Sequence, residues 1–232
     1  MGFLAPMKPE LRPLLRMLAL ERRDDTIAAS DGAAVYGRDM GDRTVVATLT
    51  LIGTENARKA TARLLRDHAP DHVVVVGIAG GVAPAVRLGD LVVPDVVIDA
   101  STGREFHAAP LGAARLAGRI RTSDDVNVVA AQLLADDIVA CDMETAAVAA
   151  VCEEADVPWT AFRGISDLVG GPVNDDLLKL ANPDGTGNLA AAARYLLPRP
   201  WKIPGLVKLA RDTDAATKTA AAAAIDACGL AG

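Results

Sequence analysis

Apolar positions along the chain alternate between two periods, and that alternation sketches the fold. Across residues 9–22, Leu11, Leu14, Leu15 and Leu18 fall at helical spacing. Residues 33–36 and 44–50 are short strand-like runs on either side of Gly41–Asp42, which predicts a hairpin. A second helix opens at Gly53–Thr54–Glu55–Asn56, with Thr54 as N-cap, and runs to His68 before Pro70 closes it. Residues 72–76 form an unbroken, mostly β-branched run, the pattern of a strand buried on both faces. Gly77, Gly80 and Gly81 follow as an expected loop. Residues 91–93 and 96–98 read as strand bent at Pro94, and residues 100–121 as a loop with one more short strand. A short helix is expected from Ser123 or Asp124 towards Leu134, then a strand at 138–141, an amphipathic helix at 144–155 and a strand at 159–164. Strands alternating with helices predict an α/β sandwich with a mixed, largely parallel sheet.

After Gly170–Gly171–Pro172 the character of the chain changes. Residues 188–197 look helical, and residues 199–205 are a proline-bounded connector. Residues 206–227 are rich in alanine, so they are helical on intrinsic propensity while burying little. The expected organisation is one domain over 1–198 and a helical tail, 199–232, packed on it.

Composition narrows the classes. The chain of 232 residues is 51% hydrophobic and 3% aromatic, so its core is built from Ala, Val and Leu. A net charge of -6 offers no basic face for nucleic acid. Cys141, Cys152 and Cys228 lack paired or metal-binding spacing and read as free thiols of a reducing compartment. His68 and His72 are separated by Pro70, so no metal site is expected. The N-terminal apolar segment is too short for a secretory signal and no run spans a bilayer, which predicts a cytoplasmic protein. Trp201, Lys202, Ile203, Leu206, Val207 and Lys208 have a composition suited to a membrane interface. The plainer expectation is that they pack on the domain or on a second subunit, without membrane contact.

The candidate chemistry lies in residues 139–167, VACDMETAAVAAVCEEADVPWTAFRGISD. Each of its strands delivers a carboxylate at its carboxyl end, Glu144 and Asp167, where ligands bind in open α/β sheets. Glu10 is a third candidate. Cleavage of a glycosidic bond through an oxocarbenium-like state uses such groups to hold sugar hydroxyls, activate water and protonate the leaving group. The apolar setting of Asp167 suits it to be an acid whose pKa is raised by desolvation. Simpler roles stay open for each: Glu10 near a helix N-terminus, Glu144 as a helix-start residue, Arg163 as a partner of any acid. Gly77–Ile78–Ala79–Gly80–Gly81 is neither a dinucleotide-binding motif nor a P-loop, so it serves either close backbone approach to a ligand or a tight turn.

These motifs together (GIAGG, then GD with VVP at 89–94, DMETAAVA at 142–149 and FRGISD at 162–167) resemble the purine nucleoside phosphorylase and nucleosidase superfamily. The resemblance is strongest to its 5′-methylthioadenosine/S-adenosylhomocysteine nucleosidase branch and spans roughly residues 3–170. It implies a three-layer α/β sandwich, an adenosine-type nucleoside as substrate, no cofactor, and a homo-oligomer. It implies that Glu144 bonds the ribose hydroxyls, Met143 packs on the ribose, Asp167 is the acid acting on the purine, Glu10 assists the attacking water and Arg163 braces the carboxylates. Ile78, Ala79 and Gly80 line the substrate side of the glycine segment. Ile78 stands where many members carry a hydroxyl that holds phosphate, which favours water as nucleophile over a phosphorylase reaction. The segment 101–134 is shorter than in typical nucleosidases, with Phe106 the candidate aromatic wall over the base. The divergent C-terminal part resembles hopanoid-associated relatives, which would imply an adenosyl lipid. The altered glycine segment also leaves open a protein that binds a nucleoside without cleaving it.

Overall fold

The computed structural model describes residues 1–23, 34–125, 133, 136–168 and 203–231, with side chains in the last helix described from residue 210 onward. The elements in chain order are β1 (Gly2–Ala5), α1 (Lys8–Met17), β2 (Glu21–Arg22), β3 (Val35–Met40), β4 (Arg43–Leu49), α2 (Thr54–His68) and β5 (Val73–Gly81). They continue with β6 (Leu91–Val92), β7 (Val96–Asp99), β8 (Glu105–His107), β9 (Arg119–Thr122), β10 (Ile138–Asp142), α3 (Thr145–Glu154), β11 (Trp159–Leu168) and α4 (Ile203–Ala227). Among the described residues the strands form one mixed sheet in the order β2-β3-β4-β1-β5-β10-β9-β7-β8, with β11 on β5 and β6 on β11.

β5 is the hub. Its first residues pair with β1, its last glycines pair antiparallel with β10, and its whole length pairs parallel with β11. Along β1, β5 and β11 the side chains alternate between two cores. Leu4, Val73, Val75, Trp159 and Ala161 face one, with Ala57 and Leu64 of α2 and Ala146–Ala150 of α3. Phe3, Val74, Val76 and Phe162 face the other, with Leu11 and Leu14 of α1 and Ala220, Ala221 and Ala224 of α4. Period-2 alternation with both faces covered requires apolar residues at successive positions, which is why β5 reads VVVV. The result is the expected three-layer sandwich.

Several expectations are corrected. The first helix stops at Met17, because Ala19 takes a left-handed conformation (φ 47°) and Glu21–Arg22 leaves as a strand beside β3. Thr54 is the first helical residue of α2, after Gly53 at φ 99°. The glycine segment 77–81 is strand rather than loop, and β11 likewise runs on through Asp167 to Leu168. α3 is not amphipathic: Thr145 through Cys152 are all buried, as for a helix apolar all round. The alanine-rich C-terminal helix starts at Ile203, inside the expected connector, and buries far more than its propensity alone required. Ala216, Thr217, Ala220, Ala221, Ala224 and Ile225 are all covered. The backbone carbonyl oxygen of Ala216 lies 2.2 Å from where a Cβ on Gly164 would stand, so only glycine there lets α4 lie on β11. The helices expected at 188–197 and, apart from Leu133, between Asp125 and Leu134 fall outside the described residues, as do Trp201 and Lys202. Among the described residues no helix is long and apolar enough to cross a membrane.

Candidate active site

The site forms where β10 turns back along β5. Ala140 and Cys141 pair with Gly81 and Gly80, and Asp142, Met143 and Glu144 follow directly in the chain. Arg163 of β11 pairs with Gly77 on the other side of β5. Glu144 follows the carboxyl end of β10 and Asp167 lies next to the carboxyl end of β11, with β10 antiparallel and β11 parallel to β5.

Arg163 is completely buried. Its Nη2 lies 2.6 Å from Asp142 Oδ2 and 3.5 Å from Glu144 Oε2. Its Nε and Nη2 donate to Thr145 Oγ1 at 3.2 and 2.8 Å, and its Nη1 donates to the Ile78 carbonyl at 3.4 Å. The Ile78 N–H donates to Glu10 Oε1 at 2.8 Å, so the backbone of one residue, Ile78, ties the arginine and the glutamate together. Burial works against the charge on Arg163, but Asp142, Glu144 and Glu10 more than offset it and hold its pKa above the ordinary value. Gly77 makes the arrangement possible. A Cβ there would stand 2.3 Å from Arg163 Nη1 and 2.5 Å from Glu10 Oε1.

Glu10, in the first turn of α1, is 1% exposed, and its Oε2 is buried without a hydrogen-bond partner. Desolvation pushes its pKa up to about 8, against the pull of Arg163 and with Glu144 adding to the rise. Burial also raises Glu144, again opposed by Arg163 and reinforced by Asp142. Glu144 occupies the N-cap position of α3 without capping it. Its Oε1 instead accepts from the Gly53 N–H at the start of α2, at 3.2 Å. Asp142 does the capping, accepting from the Thr145 N–H at 3.3–3.4 Å and from the Thr145 hydroxyl.

Asp167 lies further along β11, opposite Gly80, after the ladder slips by one residue between Ile165 and Asp167. This bulge breaks the alternation set by Arg163 and Ile165 and re-aims the carboxylate, a common device beside active sites. Asp167 is half-buried rather than enclosed in apolar surroundings, and the Ser166 hydroxyl donates to its Oδ1 at 2.7 Å. Met143, Ile78 and Gly80 are also half-buried and Ala79 is buried. Thus Glu10, Glu144, Arg163 and the Ile78 backbone come together, with Met143, Ala79, Gly80 and Asp167 adjoining them through the chain or the sheet register. Phe106 does not join them. It is 2% exposed, in the core with Val97 and Ile120, and the Arg104 guanidinium stacks 4.7 Å from its ring centre. Its place in β8 is that of a core residue, which corrects the aromatic-wall expectation.

Sequence reasoning missed Asp142, Thr145, Thr122, Gly53 and the reason for Gly77. An Asp three residues ahead of the first helical Thr is a capping-type spacing and was a usable signal. Nothing local marks Gly53 or Thr122.

One guanidinium is thus held among three carboxyl groups, one of which keeps an unpartnered buried oxygen. The chain belongs to the phosphorylase superfamily, whose family model matches residues 1–117 and 116–197. It is 30% identical over 196 residues to the 5′-methylthioadenosine/S-adenosylhomocysteine nucleosidase of Anoxybacillus flavithermus, covering 69% of this chain and 82% of that protein. Its fold is similar to the 5′-methylthioadenosine nucleosidase of Arabidopsis thaliana (TM-score 0.74, 16% identity, 99% and 94% of the two chains covered). It is similar also to futalosine hydrolase of Helicobacter pylori (TM-score 0.70, 16% identity, 98% and 96% covered).

Proposed function

We propose that the protein is a nucleosidase that cleaves the N-glycosidic bond of 5′-substituted adenosines with water, releasing adenine. The observation that carries this reading is Glu10: a buried carboxyl group with one oxygen held by Ile78 and the other unpartnered, beside Arg163 and Glu144. In this mechanism Glu144 accepts hydrogen bonds from the ribose hydroxyls, and Met143 packs on the sugar. The bond from C1′ to the base breaks with its electron pair leaving on the purine, and Asp167 supplies the proton that neutralises it. The surrounding carboxylates stabilise the oxocarbenium-like ring. Ionised Glu10 takes a proton from the water whose oxygen bonds to C1′, and the products are adenine and the free sugar.

Water rather than phosphate is favoured on electrostatic grounds. The charge of Arg163 is already taken up by Asp142 at 2.6 Å, with Glu144 at 3.5 Å, so little positive charge is left to hold an incoming anion. Ile78 adds no hydroxyl donor. The reading also carries a homo-oligomer, a cytoplasmic location and inclusion of residues 199–232 in the same domain. The test is adenine release from a panel of 5′-substituted adenosines, methylthioadenosine first and futalosine included, with and without phosphate. Turnover is expected in phosphate-free buffer and should fall by about two to four orders of magnitude in Asp167→Asn. Turnover that appears only on adding phosphate makes the protein a phosphorylase. Nucleoside binding with no product from any member makes it a binding protein.

A further inference from the structure

Asp142 has no assigned part in the proposed reaction, yet it is the centre of a buried network that includes Arg163. Its Oδ1 accepts from the Thr122 hydroxyl at 2.6 Å, and Thr122 Oγ1 in turn accepts from the Ala146 N–H at 2.9 Å. Its Oδ2 accepts from Thr145 and contacts Arg163 Nη2 at 2.6 Å, while Glu144 lies 3.5 Å from that same nitrogen. Two carboxylates thus compete for one N–H edge and Asp142 holds it. A guanidinium closed on Glu144 with two parallel bonds would occupy the oxygens that the ribose needs.

We propose that Asp142, through Thr145 and Thr122, is a positioning residue that holds the Arg163 guanidinium off Glu144 and so keeps Glu144 open to the substrate's ribose hydroxyls. The ribose part of this statement rests on the nucleosidase reading, whereas the restraint of Arg163 does not.

The groups that face Glu144 are Asp142 from β10, Arg163 from β11, Glu10 from α1 and the Gly53 N–H at the start of α2. In Asp142→Asn a negative neighbour disappears and the amide turns a donor towards Arg163. Both changes drive Arg163 onto Glu144 and stabilise the ionised glutamate. The experiment is a 13C carboxyl titration of the free protein by NMR, with Glu144→Gln identifying the signal, combined with a kcat and KM comparison. In Asp142→Asn the Glu144 signal should titrate about one pH unit or more lower than in the unchanged protein. KM should rise roughly tenfold with kcat changed much less, the pattern of lost ground-state binding. Asp142→Glu should restore part of both.

A Glu144 titration that stays where it was, whatever the loss in Tm, means that Asp142 only supports the fold and overturns the proposal. If Asp142→Asn does not fold, Thr145→Val keeps every charge and removes only the bridging hydroxyl. The same downward movement, smaller in size, is expected, and an unmoved titration overturns the proposal equally. Should the unchanged protein cleave no nucleoside, the proposed function fails, while the titration still reads the restraint on Arg163.

Discussion

Replacing Glu10 by Gln should make the protein more stable at neutral and alkaline pH while removing its activity. The side chain is almost wholly buried and one oxygen has no partner, so its charge is taken out of water with little return. Arg163 pulls the other way, but its charge is shared with Asp142 at 2.6 Å and Glu144 at 3.5 Å, and desolvation wins. The folded-state pKa is raised from the ordinary 4.5 to about 8. The folded state therefore binds more protons than the unfolded chain across this window. The stability that Glu10 contributes is fully present below about 4.5 and is lost as pH rises through about 8. At ~1.4 kcal/mol per pH unit the loss is about 3 kcal/mol at pH 7 and about 5 kcal/mol above pH 8.5. Gln has the shape of the protonated acid, keeps an acceptor for the Ile78 N–H and does not ionise. Urea unfolding of both proteins from pH 5 to pH 9 checks this. The difference in stability should be small at pH 5 and grow with pH in favour of Glu10→Gln, reaching a few kcal/mol at pH 8.5. A difference that is flat in pH, or a variant less stable at pH 8.5, refutes the argument that desolvation governs Glu10.

The same raised pKa has a kinetic consequence. A general base must be ionised in the free enzyme, so kcat/KM should rise with pH up to about 8 and then level, and this limb should vanish in any residual activity of Glu10→Gln. Gly77→Ala forces a methyl group to within 2.3 Å of Arg163 Nη1 and 2.5 Å of Glu10 Oε1. It should cost roughly a hundredfold or more in kcat/KM, measured by adenine release, with a loss in Tm. Gly164→Ala drives a methyl group into the Ala216 carbonyl, 2.2 Å away, and should destabilise by about 1–3 kcal/mol in urea while kcat per folded molecule at low temperature changes much less.

Most of the elements were legible in the linear pattern. The hairpin around Gly41–Asp42 and the second helix from residue 54 to His68 lie where periodicity and turn residues put them. So do the apolar hub strand and the strand–helix–strand unit. Failures fall where two segments distant in sequence meet. Gly77–Gly81 looks like a loop because glycine disfavours strands locally. It is strand because β10 and β11 pair with it, and Gly77 is required because Arg163 and Glu10 fill the space a side chain would take. The C-terminal helix reads as a marginal, propensity-driven tail because alanine has little surface to bury. Small residues are what allow it to lie against β11 at Gly164.

The chemistry divides the same way. By itself the sequence determined which side chains are available, Glu10, Glu144, Arg163 and Asp167, and through the Met-Glu and Ile-Ser-Asp motifs the family they belong to, since residue type and spacing are local properties. Tertiary structure decided what each group is in electrostatic terms. Through burial it raised the pKa of Glu10 and Glu144, which are enclosed by α1, β5, β10 and β11. It also brought in Asp142 as the main partner of Arg163. Desolvation and charge pairing depend on what surrounds a group in space within a few ångströms, and for Glu10 those neighbours, Ile78, Glu144 and Arg163, come from segments more than sixty residues away.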